Sequence, residues 1–228
     1  MDLPSKAVWD VLEDRGIDKL YHANSVITGC QFLRHRALLS RGSVERLKLA
    51  QSEQYSDGID RRHSLWFDVF VDSVDIHDRA RRANRYGPAL FVLGLDKIRT
   101  TYTGRGWVTK INPTNWADTS VEDRWFRSKA ELQENFVRGD FGQMIVFRHC
   151  GGALPIERSL QEIILDDPRM DLEGVDLHGA AVGALTLAMS DSGLNVPISR
   201  RQCSRRCTCR DEYRAHEHGT TMMFYPYT

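Results

Sequence analysis

The chain has 228 residues, 41% of them hydrophobic, enough for one large domain or two small ones around an ordinary globular core. Its 31 basic residues balance 31 acidic ones, so contact with a polyanion must come from local clusters and not from overall charge. No apolar run approaches the roughly 20 residues that span a bilayer, and MDLPSKAVWD lacks the apolar core of a signal peptide, so the expected compartment is the cytoplasm, with no membrane partner.

Ser5 to Arg15 carries Val8, Trp9 and Leu12 on one helical face, with Gly16 placed to end the helix. KLYH at 19–22 is a short strand that runs into Asn24 and Ser25. Thr28 can cap a second helix through Gln31, Phe32, Leu33 and Ala37 to the LLSRG turn at 38–42. His22 and Asn24 therefore lie at a strand-to-helix junction. Ser43 opens a third helix marked by Val44 and Leu47, and the polar stretch QSEQYSDGIDRRH at 51–63 is a loop or a loosely held helix.

LWFDVFVD at 65–72 is the clearest strand. Leu65, Phe67, Val69 and Val71 point to a core, while Trp66, Asp68, Phe70 and Asp72 form a half-polar face. After a Tyr-Gly-Pro turn at 86–88, ALFVLGL at 89–95 fits a strand buried on both faces. Between Arg99 and Gly139 the pattern is broken by Gly104, Gly106, Pro113 and Asn115 before a helix around 121–135, an excursion long enough to cover an active site. Gln143 to Phe147, QMIVF, is a buried strand with a polar tip, followed by a Gly151-Gly152 and Pro155 turn and a strand at 161–165. Asp176 to Ser190 is a packed helix of small residues, too short to cross a membrane.

After Pro197 the composition changes. Ser199 to Arg214 holds six arginines and three cysteines against two acids, so 1–196 is expected to be the main domain and 197–228 a small basic Cys/His module. Five cysteines, with Cys30 and Cys150 isolated, argue against a disulfide framework and for a local metal site. The run C-x3-C-x-C-x6-H-x-H offers Cys203, Cys207, Cys209 and His216 as a tetrahedral zinc set, the other reading being a basic tail with free thiols. With zinc bound, the surrounding arginines would present a phosphate-contacting surface.

Several stretches in strand order resemble the ADP-ribosyltransferase fold, and within it the DarT-type toxins that modify nucleic acid. They are LYHANS at 20–25 with the helix ending in LLSRG, Asp60-Arg61-Arg62 ahead of HSLWFDVFVD, and GQMIVF followed by ALPIERSLQEIIL, together covering residues 18–167. The resemblance implies a mixed α+β fold with a split central sheet flanked by helices. It implies NAD as co-substrate, seated by His22 and Asn24 with Ser25, Ser40 and Arg41, and an arginine, Arg62 or Arg61, that contacts phosphate and assists the acceptor. The acceptor would be a base of DNA or RNA, and the biological role that of a toxin or phage-defence effector with an antitoxin protein as partner.

The family's catalytic glutamate, which stabilises an oxocarbenium-like ribose and takes the acceptor proton, falls where this chain has Gln143. Three explanations stand: the resemblance misleads, the chain is naturally inactive or divergent, or a glutamate was replaced so that a toxic enzyme could be produced, which the near-isosteric change favours. Two other classes remain open. Asp68, Asp72, Asp75 and His77 could bind Mg²⁺ in a nuclease, although no following strand offers a Glu-x-Lys partner. The Arg/Cys segment could instead act alone as a non-enzymatic nucleic-acid-binding zinc module.

Overall fold

The computed structural model describes residues 2–225. In chain order the elements begin with β1 (Leu3–Pro4), α1 (Ser5–Asp14), β2 (Lys19–Asn24), α2 (Val26–Arg34), β3 (Ala37–Leu39), α3 (Arg41–Arg46), α4 (Asp57–Arg62), β4 (Val69–Val71), α5 (Ile76–Ala80) and β5 (Ala89–Gly94). They continue with α6 (Leu95–Thr101), β6 (Arg105–Val108), two 3-10 turns, α7 (Lys129–Asn135), β7 (Ile145–Phe147), β8 (Ala153–Pro155) and β9 (Leu160–Leu165). A small hairpin, β10 (Asp171–Leu172) and β11 (Val175–Asp176), leads into α8 (Leu177–Ser192), β12 (Ile198–Arg200), α9 (Cys209–Ala215) and α10 (Glu217–Phe224).

The strands make a split central sheet. One half has the order β1-β6-β7-β4 and the other β12-β9-β5-β2. The halves join where Tyr21 N–H donates to Asp72 O (3.0 Å) and Asp72 N–H donates to Tyr21 O (2.8 Å), an isolated antiparallel bridge between β2 and the end of β4. β5, paired on both edges and buried at all six residues, is the spine of its half, as the unbroken apolar run requires. α2 packs on it through Phe32, whose ring meets Phe91, and α8 packs on α2, with Leu177, Ala181, Leu185 and Ala188 buried. α1 covers the other half, burying Val8, Trp9, Val11 and Leu12.

Four local expectations are revised. α2 starts at Val26 with Ser25 as its N-cap, two residues before Thr28, whose hydroxyl instead accepts from Ser25 Oγ at 3.0 Å. The helix ends at Arg34, Arg36 turns the chain at φ 50°, and Ala37–Leu39 forms a fully buried strand paired with β8. Burial of three consecutive apolar side chains there overrides the helical propensity of Ala and Leu. β4 is only Val69–Val71, because Leu65 N–H donates to Asp60 O (2.8 Å) and Asp68 N–H to Leu65 O (2.9 Å), a turn that leaves Phe67 47% exposed. The helix expected around 121–135 is confined to α7, capped by Ser128, because Trp125 bridges to Thr109 in extended form.

The compositional break at 197 is not matched by a break in packing. β12 pairs in parallel with β9, and Cys209, Tyr213 and Phe224 are buried in the main core. The pairing of Ile198–Arg200 with Ile163–Leu165, and the buried Cys209 and Tyr213 of α9 and Phe224 of α10, join the segment to the sheet and the core. Residues 226–228 of the expected module lie outside the described residues. Among the described residues no helix is long and apolar enough to cross a membrane.

Candidate active site at the sheet split

Beside the Tyr21–Asp72 bridge a cavity of about 410 Å³ opens. Its walls are the end of β2 (His22, Asn24), the start of α3 (Ser40, Arg41), α4 with the segment before it (Gln54, Asp60), the polar face of β4 (Asp68, Phe70, Asp72) and residues 82–86. The period-two alternation of 68–72 buries Val69 and Val71 in the core, Val69 also touching the cavity wall, and sends the acids and Phe70 to the cavity.

His22 and Asn24 form a fixed polar edge. His22 Nδ1 lies 2.7 Å from Phe70 O; a carbonyl only accepts, so Nδ1 carries the proton. Burial lowers the ring's pKa, opposed by that same hydrogen bond, so Nε2 presents a lone pair, 3.4 Å from the Asn24 amide nitrogen. Asn24 Oδ1 in turn accepts from Ser25 N–H (3.0 Å) and Gln54 Nε2 (3.3 Å), which fixes the amide's orientation. Ser25 stands behind this edge, hydrogen-bonded through Oγ to Thr28 and Ser52, and does not line the cavity.

Arg41 is held as a fork. Nε and Nη2 donate to the two oxygens of Asp57 at 2.8 and 2.6 Å, and Nη2 also donates to Ser52 O at 2.7 Å. Among the described residues its Nη1 is buried without a hydrogen-bond partner, a donor left over for an anionic ligand. Ser40 Oγ caps α3 by accepting from Ser43 N–H at 3.2 Å.

Three carboxyls share the cavity. Burial raises Asp60 to about 7, opposed by the Ser56 hydroxyl. Burial raises Asp68 to about 6, opposed by the charge of Arg148, whose Nε is 2.7 Å away but not aligned for a hydrogen bond. Asp72 rises to about 7 through burial and the neighbouring charge of Asp75. Acids that titrate near neutrality in a cleft are suited to general acid–base work.

No protein-family model matches the chain, and no curated protein matches it by sequence. Solved structures do. DarT of Thermus sp. 2.9, in complex with ADP-ribosylated ssDNA, superposes with a TM-score of 0.50 at 13% identity, covering 82% of this chain and 95% of that one. The fold is DarT-like.

Within this DarT-like fold, the remaining expected residues fall elsewhere. Gln143 does not line the cavity. Its Oε1 accepts from Val137 N–H at 2.7 Å and its Nε2 donates to Asn135 O at 3.2 Å, so the amide closes the end of α7. Arg61 and Arg62 also lie outside the lining, because α4 turns Ile59 and Asp60 inward and, at about 100° per residue, carries the next two positions away. Arg61 pairs with Glu45 at 2.8 Å and stacks 3.6 Å above the Trp66 ring; Arg62 is solvent-exposed. The arginines that line the cavity are Arg41, Arg82 and Arg85, and of these Arg41 is the one fixed at the start of α3 by Asp57.

The Mg²⁺ set considered for a nuclease separates. Asp68 pairs with Arg148, Asp75 with Arg201 at 2.5 Å, and His77 with Asp166 at 2.7 Å. Cys203, Cys207 and Cys209 converge, but His216 is not in their group; His77 is. His216 sits at the far end of α9, seven residues beyond Cys209 and so about 10 Å along the axis, too far to fold back. Pairing over more than 120 residues leaves no local spacing that points to His77.

Proposed function

We propose that this chain transfers ADP-ribose from NAD to a nucleic-acid base, with DNA as the expected acceptor, releasing nicotinamide. The observation that carries the reading is the cavity at the sheet split of a DarT-like fold, which combines an ordered His–Asn edge, an arginine with a spare donor and carboxyls poised near neutral pH. The fold neighbour that contains ADP-ribosylated ssDNA supports DNA over RNA. A transferase that marks DNA endangers its own cell, so the reading includes a toxin or phage-defence role and a neutralising antitoxin protein.

In this mechanism Arg41 Nη1 donates to a pyrophosphate oxygen, and the His22–Asn24 edge holds the nicotinamide riboside by hydrogen bonds. The bond between ribose C1′ and the nicotinamide nitrogen breaks, its electron pair leaving with nicotinamide, while positive charge grows on the ribose. Asp72 is the carboxylate we assign to that charge and to the proton released by the attacking base. Asp68 is partly neutralised by Arg148, and Asp60 is more deeply buried beside Ser56, whereas Asp72 stands at the bridge with no cation against it. A base that titrates near the working pH is the most effective proton acceptor.

The test incubates purified protein with labelled NAD and separate ssDNA, RNA and protein pools. Label is expected on ssDNA, falling by about 10²–10⁴-fold in Asp72→Asn and little changed in Gln143→Ala. The wild-type rate should rise with pH through about 7 as Asp72 ionises, a limb that the Asn variant lacks. Folded wild type that labels no pool would overturn the reading; label on RNA alone would overturn its acceptor.

A further inference from the structure

We infer that His77 Nε2 and the Sγ atoms of Cys203, Cys207 and Cys209 form a closed structural Zn²⁺ site that fastens the C-terminal segment to the cavity wall. After β12 the chain runs beneath α5 and places Cys207 Sγ 3.3 Å and Cys203 Sγ 3.8 Å from His77 Nε2. Cys203 and Cys209 sulfurs lie 3.5 Å apart, and all four ligand atoms are within 4.8 Å of one another. A zinc tetrahedron with Zn–S of about 2.3 Å and Zn–N of about 2.0–2.1 Å has edges of about 3.5–3.8 Å. The separations of 3.3, 3.5 and 3.8 Å lie within a few tenths of an ångström of those edges, and no pair is farther apart than 4.8 Å.

The surroundings of His77 supply a second, independent observation. Its Nδ1 lies 2.7 Å from Asp166 Oδ2, so the carboxylate takes the Nδ1 proton in a hydrogen bond and Nε2 turns its lone pair to the thiols. Asp166 is itself fixed by hydrogen bonds from Tyr213 Oη (2.5 Å) and Arg201 Nε. A buried carboxylate with three partners orients one imidazole toward three sulfurs, the arrangement that supports a metal-bound histidine. Three thiolates against one dication leave one net negative charge; Arg201, although near, is already paired with Asp75 and Asp166.

The site has a positioning role. α5 turns Ile76 and Ala80 to the cavity and His77 to the thiols, so one short helix serves both. The thiol-bearing segment also holds the stretch after α5: Thr208 N–H donates to Arg81 O at 2.9 Å, and Glu212 Oε2 accepts from Ala83 N–H at 3.2 Å. Residues 82–86 are cavity wall. Metal loss should therefore loosen 76–86, and this holds whether or not the cavity binds NAD.

Elemental analysis of freshly purified wild type should find about one zinc per chain, lost in Cys207→Ser and His77→Gln and retained in His216→Gln. Should the ligand variants fail to fold, wild type loaded with Co²⁺ gives the readout: thiolate charge-transfer bands and intense tetrahedral d–d bands are expected. Alkylation should reach Cys203, Cys207 and Cys209 only after chelation. Zinc-free wild type with those thiols reactive, iron in place of zinc, or loss of metal in His216→Gln would overturn the assignment. Hydrogen exchange of 76–86 should speed up on chelation and recover with added Zn²⁺; no change would overturn the positioning role.

Discussion

Gln143 employs both halves of its amide, accepting from Val137 N–H and donating to Asn135 O. A carboxylate could keep the first bond but would face the Asn135 carbonyl with a lone pair. Gln143→Glu is therefore expected to lower stability by about 1 kcal/mol, read as a reduced urea midpoint, without creating transfer activity. A midpoint that rises, or transfer that appears only with the glutamate, would return the catalytic role to this position. At this scale the junction residues are legible in the sequence: His22 and Asn24 follow a strand and precede a helix, and polar side chains there face the space where the chain turns. Arg41 enters only through the family resemblance. Asp60 stands out only as a neighbour of Arg61 and Arg62, because the phase of a two-turn helix is not visible in a polar stretch. Asp72 falls on the correct strand face but among acids that the fold directs to arginines.

Gly87 fixes an element boundary by its lack of a side chain. Its φ is +142°, and a Cβ there would lie 2.1 Å from the Asn24 carbonyl carbon and 2.3 Å from Ser25 N. The turn before β5 is thus pressed onto the junction of β2 and α2. Gly87→Ala is expected to destabilise by about 2–4 kcal/mol through strain and overpacking, and to weaken NAD binding in a calorimetric titration. Unchanged unfolding and affinity would mean that the contact relaxes freely. Elements with a single unambiguous pattern are legible: β5 from its apolar run, α8 from its long run of small residues, α1 from its stripe. Ala37–Leu39 is not, because a three-residue apolar run carries no period, and only pairing with β8 makes it a strand.

For the molecule as a whole, the cavity acids set a pH dependence of stability. Asp60, Asp68 and Asp72 have folded pKa values of about 7, 6 and 7, above their unfolded values near 3.8. Between about pH 4 and 7 the folded chain keeps protons that the unfolded chain has released, so this contribution is full at the acid end and is lost as pH rises. His22, kept neutral by burial, opposes it below about pH 6.5. Surface carboxylates such as Asp10, held down by Lys129, act at still lower pH. Comparing wild type with Asp60→Asn isolates one acid and cancels any metal effect. The variant should gain about 1–2 kcal/mol relative to wild type between pH 5.5 and 7.5 in urea unfolding; a constant difference would mean that Asp60 is ionised throughout. The split sheet is legible only through the family resemblance, and the integration of the C-terminal segment is not, because arginine content masks β12 and α9 and the core contacts of the segment are long-range. The seam between the half-sheets is bridged by the two hydrogen bonds between Tyr21 and Asp72 and by His22 Nδ1, which donates to Phe70 O. Because one continuous core underlies both half-sheets, a shift of β4 against β2 would move His22 and Asp72 relative to each other, so the shape of the cleft is set by the register of these two strands.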